Sequence, residues 1–315
     1  MYIGIDLGGT NIGAALVDEN GKIVKRTSIH ADTSGGAKTV IDGLLIVCDN
    51  LLDDTPTTPL SIGIGVPGTV NDEMGVVVFT PNLPLRSVNA TQGLYEKYGC
   101  PIRLGNDANC AALGETVAGG AKGAQDVVFI TLGTGLGGGI IQGGRLITGL
   151  SGAASELGHM VINIGGHKCG CGRYGCWETY ASASGLIRTA IEIMGRHQGS
   201  LLWRLCNGLT ETVDGRMVFD AFRSDDRAAQ IIVEQYIEYL AIGFVNLVNM
   251  LEPDMICVGG GISNAWDCLA EPLTKLVNSD KYFRFSPKAP QTRIVKAELG
   301  NDAGIIGAAM LGREI

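Results

Sequence analysis

Three cysteines and one histidine have the types and the spacing of a metal-binding set. His159 is followed by Cys169, Cys171 and Cys176 in a glycine-rich loop. A set of three thiolates and one imidazole binds Zn²⁺ tetrahedrally, with sulfurs at about 2.3 Å from the metal. Four protein ligands close the coordination sphere, so the spacing predicts a structural zinc and places the chemistry beside it.

Two alternatives to this assignment remain open at the level of sequence. The cysteines could be ordinary buried thiols, as free cysteines usually are, although three within eight residues of a glycine-rich loop favour a metal. The fourth ligand could be His167 instead of His159, but His167 lies only two residues before Cys169. So short a spacing makes tetrahedral ligation by both residues awkward.

Two carboxylates, Glu156 and Glu178, bracket the predicted metal loop. They are the acidic groups nearest in sequence to the predicted metal ligands. A metal with four protein ligands has no open position for a substrate, so other side chains must carry the chemistry. We therefore expect them to belong to the functional site.

A glycine pair joins two short apolar runs at the start of the chain. The run that includes Asp6 leads into Gly8, Gly9 and Thr10, and a second run follows. A hairpin turn of this kind exposes backbone N–H groups and a hydroxyl, which can hold phosphate oxygens. Asp6 can orient a hydrated Mg²⁺ beside them. A plain Gly-Gly hairpin turn is the alternative.

A second glycine turn, at Gly133, Thr134 and Gly135, follows another apolar run. Its Gly-x-Gly-x-x-Gly spacing is not a dinucleotide fingerprint, because that motif must open a helix and here a second hairpin is predicted. Strand, glycine turn and strand thus occur twice, which suggests two lobes of related architecture facing one nucleotide. No Gly-Lys-Ser or Gly-Lys-Thr is present, which excludes a P-loop.

A third glycine turn, at Gly259, Gly260 and Gly261, lies between an apolar run and a predicted helix. Glycine permits close approach of the backbone to a ligand. This turn therefore suits a flat base or a ribose.

Asp107 lies where a predicted strand passes into a predicted helix. Open α/β sheets bind ligands at such junctions. Helix N-capping is the alternative role, since aspartate performs it often, and Asp107 could do both.

Composition excludes several classes of protein. The 315 residues are 45% hydrophobic and 18% charged, which is typical of a globular chain. A net charge of −8 without basic runs argues against a nucleic-acid surface. No basic-then-apolar leader opens the chain, and the longest apolar stretch, residues 231–251, contains glutamates that argue against a membrane span. Nine cysteines, an odd number, favour a reducing compartment, so we expect a cytoplasmic protein.

The elements that must position these residues follow from apolar periodicity. The predicted strands are residues 2–7, 11–17, 22–29, 61–66, 101–104, 127–132, 255–258 and 293–299. The principal predicted helices are residues 41–52, 94–98, 109–115, 181–194, 225–250 and 303–311.

Taken together, these motifs resemble those of the ROK family of sugar kinases and repressors. The resemblance rests on the segments 6–10, 132–139, 156–159, 169–178 and 259–263, in order along nearly the whole chain. It implies an α/β, two-lobed, actin-like and hexokinase-like ATPase fold with a structural zinc site, and with ATP and sugar in the cleft. The expected domains are a small lobe, residues 1–118, and a larger lobe, residues 119–299, with residues 300–315 packing back on the first.

The resemblance also implies residue roles. Asp107 corresponds to the catalytic base, and Asn106, Glu156, His159 and Glu178 to sugar-binding positions. The first two glycine turns correspond to phosphate loops and the third to an adenosine loop. Family members are commonly homodimers or higher oligomers.

The family contains enzymes and repressors, and the sequence favours an enzyme. The Asp-x-Gly-Gly-Thr strand begins at residue 2, with no helix-turn-helix segment ahead of it. A sugar-binding or sugar-sensing protein without catalysis needs neither Asp107 nor three nucleotide turns. We expect phosphorylation of glucose at O6 by ATP with Mg²⁺, and fructose, mannose, allose or an N-acetylated hexosamine (N-acetylmannosamine, N-acetylglucosamine) as alternatives.

Overall fold

The computed structural model describes residues 1–53, 58–282 and 291–313 and has an α/β fold. The strands of this part of the chain are β1 (Tyr2–Leu7), β2 (Asn11–Val17), β3 (Ile23–His30), β4 (Ile62–Val66), β5 (Thr69–Asn71), β6 (Val76–Phe79), β7 (Arg86–Asn89), β8 (Ile102–Asn106), β9 (Val127–Leu132), β10 (Leu136–Gln142), β11 (Arg145–Leu146), β12 (Met255–Gly259) and β13 (Arg293–Lys296). The helices are α1 (Ala37–Leu52), α2 (Gln92–Tyr98), α3 (Asp107–Ala118), α4 (Glu178–Ala181), α5 (Ala183–Met194), α6 (Leu201–Leu205), α7 (Gly215–Arg223), α8 (Arg227–Leu251), α9 (Trp266–Asp280) and α10 (Asp302–Met310).

The strands form three sheets. The first has the order β3-β2-β1-β4-β8, with β1 antiparallel to β2 and parallel to β4. The second has the order β11-β10-β9-β12-β13, and the third is the small antiparallel sheet β5-β6-β7. The two glycine-turn hairpins predicted from sequence are confirmed as β1–β2 and β9–β10. The third sheet was not predicted.

The burial of β3, β4 and β12 agrees with their positions in the sheets. Every residue of β4 and β12 is buried, as expected for strands covered on both faces. In β3, half-buried residues alternate with exposed ones along the whole strand, as expected for an edge strand with one wet face.

Helix α10 packs unusually close to the first sheet and to α3. A methyl group added at Gly4 would overlap the carbonyl oxygen of Ile305, and one at Gly63 would overlap that of Ala308. A methyl group at Gly307 would overlap the carbonyl oxygen of Cys110 in α3. Only glycine allows backbones to approach to this distance, so the glycines on both sides fix where α10 lies.

Helix α8 is the one helix of the described chain with the length and composition of a membrane span, and 56% of its most apolar window is buried. Trp177 is fully buried against it, and its Nε1–H donates to the Tyr239 carbonyl at 2.7 Å. A methyl group at Gly243 would overlap the Trp177 ring. These are the properties of a core helix, as the glutamates in its sequence predicted.

The chain divides by its contacts into two compact units. Unit 1 is Met1–Phe129, Gly139–Ser155 and Ala297–Ile315, and unit 2 is Ile130–Gly138 and Glu156–Lys296. The lobe boundaries 1–118 and 119–299 stay a prediction.

Candidate functional site

The four predicted metal ligands form one cluster in unit 2. The ligand atoms of His159, Cys169, Cys171 and Cys176 all lie within 4.8 Å of one another. Cys169 Sγ is 3.6 Å from His159 Nδ1, and Cys171 Sγ is 3.7 Å from Cys176 Sγ. A tetrahedron with metal–sulfur arms of about 2.3 Å has edges of about 3.8 Å, so this donor set fits zinc in number, type and spacing.

The orientation of His159 separates its two ring nitrogens. Nδ1 points into the cysteine cluster, and Nε2 lies 4.0 Å from Glu156 Oε2. One nitrogen is thus placed for a metal while the other remains for a second partner. His167, the rival ligand, lies instead with its ring 5.0 Å from the Tyr180 ring and is not a member of the cluster.

Tyr180 fixes the loop between His159 and the cysteines. Its buried phenol oxygen accepts hydrogen bonds from the His167 backbone N–H at 2.9 Å and from Asn163 Nδ2 at 3.1 Å. Its ring packs on Tyr239 of α8 at 4.8 Å. The loop is therefore tied to the core of unit 2 through one side chain.

Glu178 links the metal cluster to the second glycine turn. Its Oε2 accepts the backbone N–H of Leu136 at 3.1 Å, and its Oε1 lies 3.6 Å from Cys169 Sγ. The Glu178 carboxylate therefore contacts both the cysteine cluster and the end of the second glycine turn, and both lie in unit 2.

The second and third glycine turns lie against each other. Gly260 has φ of 82°, and a methyl group there would approach the backbone of Leu132 to 2.5 Å. The backbone N–H of Ala183, at the start of α5, donates to the Gly133 carbonyl at 2.9 Å. Glycine at position 260 is required for both its dihedral angle and this close approach.

A cavity of about 640 Å³ opens beside these two turns. Gly133, Thr134 and Gly261 line it, whereas Gly259 and Gly260 are not in its wall. Its volume lies within the range of about 300–1,000 Å³ that is typical of small-molecule sites. Unit 2 thus contains a cavity of nucleotide size at the predicted phosphate and adenosine loops.

One wall of this cavity was not predicted from the sequence. It is formed by helix α7 and its cap, through Asp214, Gly215, Arg216, Phe219, Asp220 and Arg223, and by Asn264. Arg223 is held by Asp267 through two bonds of 2.8 and 2.9 Å, which lower the pKa of Asp267 to about 2. Arg216 is exposed at the same wall, since its side chain is 88% accessible.

The first glycine turn and Asp6 lie in unit 1. The Gly8 N–H donates to the Asn11 carbonyl at 2.9 Å and closes the turn, while Gly9 and Thr10 are exposed. Burial, and secondarily the charge of Asp107, raise the pKa of Asp6. The structure therefore brings Asp6 and Asp107 near enough to repel each other.

Asn106, and not Asp107, is the residue that caps helix α3. Asn106 is the N-cap of α3, and its side-chain oxygen accepts the N–H groups of Ala108 at 2.9 Å and Asn109 at 3.2 Å. Asp107 is the first helical residue, and its Oδ1 accepts the Ala108 N–H at 2.9 Å. The suggestion that Asp107 is the helix cap is therefore wrong.

The capping role restricts what Asn106 can offer a ligand. Its side-chain oxygen is occupied by α3, and its Nδ2 donates to the Gly68 carbonyl at 3.2 Å. One Nδ2 hydrogen remains for another acceptor. Burial raises the pKa of Asp107, against the smaller opposite effect of its hydrogen bonds.

These features define an α/β protein with a nucleotide-sized cavity at paired glycine turns and a Cys₃His metal-type cluster. The model of the ROK family matches residues 2–315, and the chain belongs to that family. The resemblance noted from the motifs is thereby confirmed.

Named relatives cover nearly the whole chain. A glucokinase of Thermotoga maritima is 37% identical over 316 residues, which are 99% of this chain and 97% of the relative. An N-acetyl-D-glucosamine kinase of Histophilus somni is 34% identical over 325 residues, 99% of this chain and 98% of the relative. The crystal structure of a ROK family glucokinase from Streptomyces griseus, in complex with glucose and AMPPNP, matches with a TM-score of 0.77 at 33% identity and covers 99% of each chain.

Proposed function

We propose that this protein is an ATP-dependent sugar kinase that converts glucose to glucose 6-phosphate. The observation that carries the proposal is the 640 Å³ cavity lined by Gly133, Thr134 and Gly261, in a chain similar over its length to a glucokinase that binds glucose and AMPPNP. A binding module that lacks catalysis would not need this nucleotide cavity.

Asp107 is the proposed general base. Its carboxylate accepts the proton of the sugar hydroxyl as that oxygen attacks the γ-phosphorus of ATP. Its raised pKa suits proton abstraction better than that of an exposed aspartate, because the ideal base titrates closer to the working pH. Its Oδ1 accepts the Ala108 N–H, and a carboxylate has two oxygens with about four acceptor sites, so acceptor capacity remains for a hydroxyl.

Asn106, Glu156, His159 and Glu178 are the proposed ligands of the remaining sugar hydroxyls. Glu156 offers an acceptor, and Nε2 of His159 beside it becomes a fixed donor once Nδ1 binds the metal. Holding the ring by several hydroxyls keeps the reacting oxygen at about 3–3.5 Å from phosphorus, which supplies much of the rate enhancement.

The glycine turns are the proposed phosphate and adenosine loops. Gly8, Gly9, Thr10, Gly133, Thr134 and Gly135 hold phosphate oxygens, while Gly259, Gly260 and Gly261 approach the adenosine. Asp6 is a hard oxygen donor of the type that binds Mg²⁺ through water, and that ion neutralises the developing charge on the phosphates.

Zinc is the proposed occupant of the Cys₃His cluster, in a structural role. His159, Cys169, Cys171 and Cys176 would hold it, and the coordination fixes the ring orientation of His159. A purified sample should contain about one zinc per chain. Loss of zinc in His167→Ala with full retention in His159→Ala would contradict this ligand set.

The wider setting follows from the same reasoning. We infer a cytoplasmic enzyme, without nucleic-acid or membrane partners, that forms a homodimer or a higher homo-oligomer.

The N-acetyl-D-glucosamine kinase relative makes an N-acetylated hexosamine the principal alternative substrate. ADP release measured over a panel of hexoses decides between them, and a higher kcat/KM for another sugar would overturn glucose.

The substitution Asp107→Asn tests the catalytic assignment. Asparagine keeps the shape but cannot take a proton, so turnover should fall by about 10²–10⁴-fold. The cap is untouched because Asn106 provides it. The measurement is kcat of the folded variant with glucose and ATP.

Asp42→Asn is the matched control, since Asp42 is exposed on α1. It should leave kcat unchanged. Activity of Asp107→Asn within a few-fold of the parent would mean that the base lies elsewhere.

A further inference from the structure

Helix α7 and its cap form a wall of the 640 Å³ cavity in unit 2, and none of their side chains belongs to the proposed phosphate or adenosine loops. Those loops contribute Gly133, Thr134 and Gly261 to the cavity. A bound nucleotide is larger than these three residues can surround. The α7 wall therefore meets either the phosphates or the base.

The charges of the α7 wall disfavour phosphate. Asp214 and Asp220 contribute two carboxylates, and Arg216 and Arg223 contribute two guanidinium groups. Arg223 is also bound by Asp267 through two hydrogen bonds of 2.8 and 2.9 Å. Three carboxylates thus stand against two guanidinium groups, and a phosphate at this wall would meet a surplus negative charge.

Apolar groups complete the same wall. Phe219, Ile262 and Ala265 line the cavity beside the charged side chains. The start of α7 packs closely on this apolar surface, since a methyl group added at Gly215 would lie 3.2 Å from Ile262 Cδ1. Small-molecule sites that bury flat, uncharged rings are lined in this way. The α7 wall therefore fits the base of the nucleotide.

The two arginines of the wall differ in their freedom to move. Arg223 is fixed by Asp267 and also lies 3.3 Å from Asp220 Oδ1. The Nε of Arg216 lies 3.7 Å from Asp220 Oδ2, which is too far for a hydrogen bond, and 88% of the Arg216 side chain is accessible. Exposed ion pairs of this kind contribute little stability. Arg216 can therefore leave Asp220 for a ligand.

Given the ATP site proposed above, on which this assignment rests, we propose that Arg216 covers the outer face of the nucleotide base. The inner face of the base lies against the apolar part of the α7 wall, and its outer face would otherwise be open to water. A guanidinium plane stacks on an aromatic face and is attracted to it by the cation–π interaction. Every base has such a face, so this contact strengthens binding of adenine and guanine alike.

Isothermal titration calorimetry of the full chain with adenosine and with AMPPNP tests this contact. Arg216→Ala should weaken the binding of both ligands by the same factor, roughly 2–30-fold, which is the range of a cation–π contact. Equal factors are expected because adenosine has the base but no phosphate. Arg227→Ala is the matched control, since Arg227 is exposed at the start of α8 and does not line the cavity. It removes the same charge and should change neither affinity.

The two ligands separate the possible failures. A loss of affinity for AMPPNP alone would overturn the proposal, because it would place Arg216 at the phosphates. Unchanged affinities for both ligands in Arg216→Ala would overturn it as well, while leaving the ATP site intact. Failure of the parent to bind either ligand would instead contradict the ATP site itself, and the assignment of Arg216 would fall with it.

Discussion

The adjacent side chains of Asn106 and Asp107 do different jobs because their backbones differ. Asn106 is extended, with φ of −64° and ψ of 146°, and can turn its oxygen back to the first helical N–H groups. Asp107 is already helical and keeps its carboxylate for other partners. From sequence, the cap could not be assigned to one of the two residues, since asparagine and aspartate cap helices about equally well.

Burial of the Asp107 carboxylate should lower the stability of the protein at neutral pH. Its pKa is raised above the ordinary value of 3.8, so the folded state binds the proton more tightly than the unfolded state. Its contribution to stability is then complete below pH 3.8 and is lost as the pH rises through the folded pKa. Asp107→Asn removes this loss and should raise the free energy of unfolding at neutral pH by about 0.5–2 kcal/mol, the usual size of a single stabilising substitution.

Denaturant unfolding of Asp107→Asn and its parent at several pH values measures this effect. The difference in free energy of unfolding between Asp107→Asn and its parent should grow as the pH rises from 4 to 7. A difference that is constant with pH would disprove the linkage.

At the level of elements, the metal loop depends on a residue outside it. Tyr180 follows the last cysteine, yet its phenol oxygen holds His167 and Asn163 in the middle of the loop. The spacing of the cysteines could predict that His159 and the three cysteines form one cluster, because metal chemistry restricts residue type. It could not predict the hydrogen bonds of Tyr180 to the loop, since a tyrosine among apolar residues indicates only a core position in a sequence.

Tyr180→Phe should weaken the metal site while sparing the core. Phenylalanine keeps the ring packing against Tyr239 but leaves two donors without their acceptor. Removal of groups that orient metal ligands typically costs 10–100-fold in metal affinity, and a loss of about that size is expected here. Competition with a chromophoric chelator measures it.

Tyr236→Phe is the matched control, because the Tyr236 hydroxyl donates to the Ala181 carbonyl at 2.7 Å and not to the loop. It should keep the zinc affinity of the parent. Equal affinities for Tyr180→Phe and its parent would show that the loop holds its shape without the phenol.

Regular elements with strong apolar periodicity were predictable, and short polar ones were not. The strands β1, β2, β4, β9 and β12 and the long helix α8 agree with the sequence prediction. The sheet β5-β6-β7 has strands of three or four residues whose side chains are largely exposed or half-buried, so no alternation marks them. Helix α7 carries no recognisable sequence motif, so the cavity wall that it forms was not predicted from the sequence.

At the scale of the whole molecule, zinc should contribute to stability through mass action. A ligand that binds only the folded state stabilises it by about 2.7 kcal/mol at one hundred times its dissociation constant. Chelation should therefore lower Tm, and added zinc should restore it. Calorimetry with and without chelator checks this, and Cys171→Ser should melt at the lower temperature with no response to chelator.

The close packing of α10 on glycines of the first sheet has a consequence for the synthesis of the chain. Helix α10 packs backbone to backbone on β1, although most of the other helices and strands lie between them along the chain. During synthesis the strand β1 consequently leaves the ribosome well before the helix that covers it. Contacts so distant along the chain form slowly, and exposed strands are prone to aggregation in the interval. We therefore expect the first sheet to be most prone to aggregation before α10 packs on it.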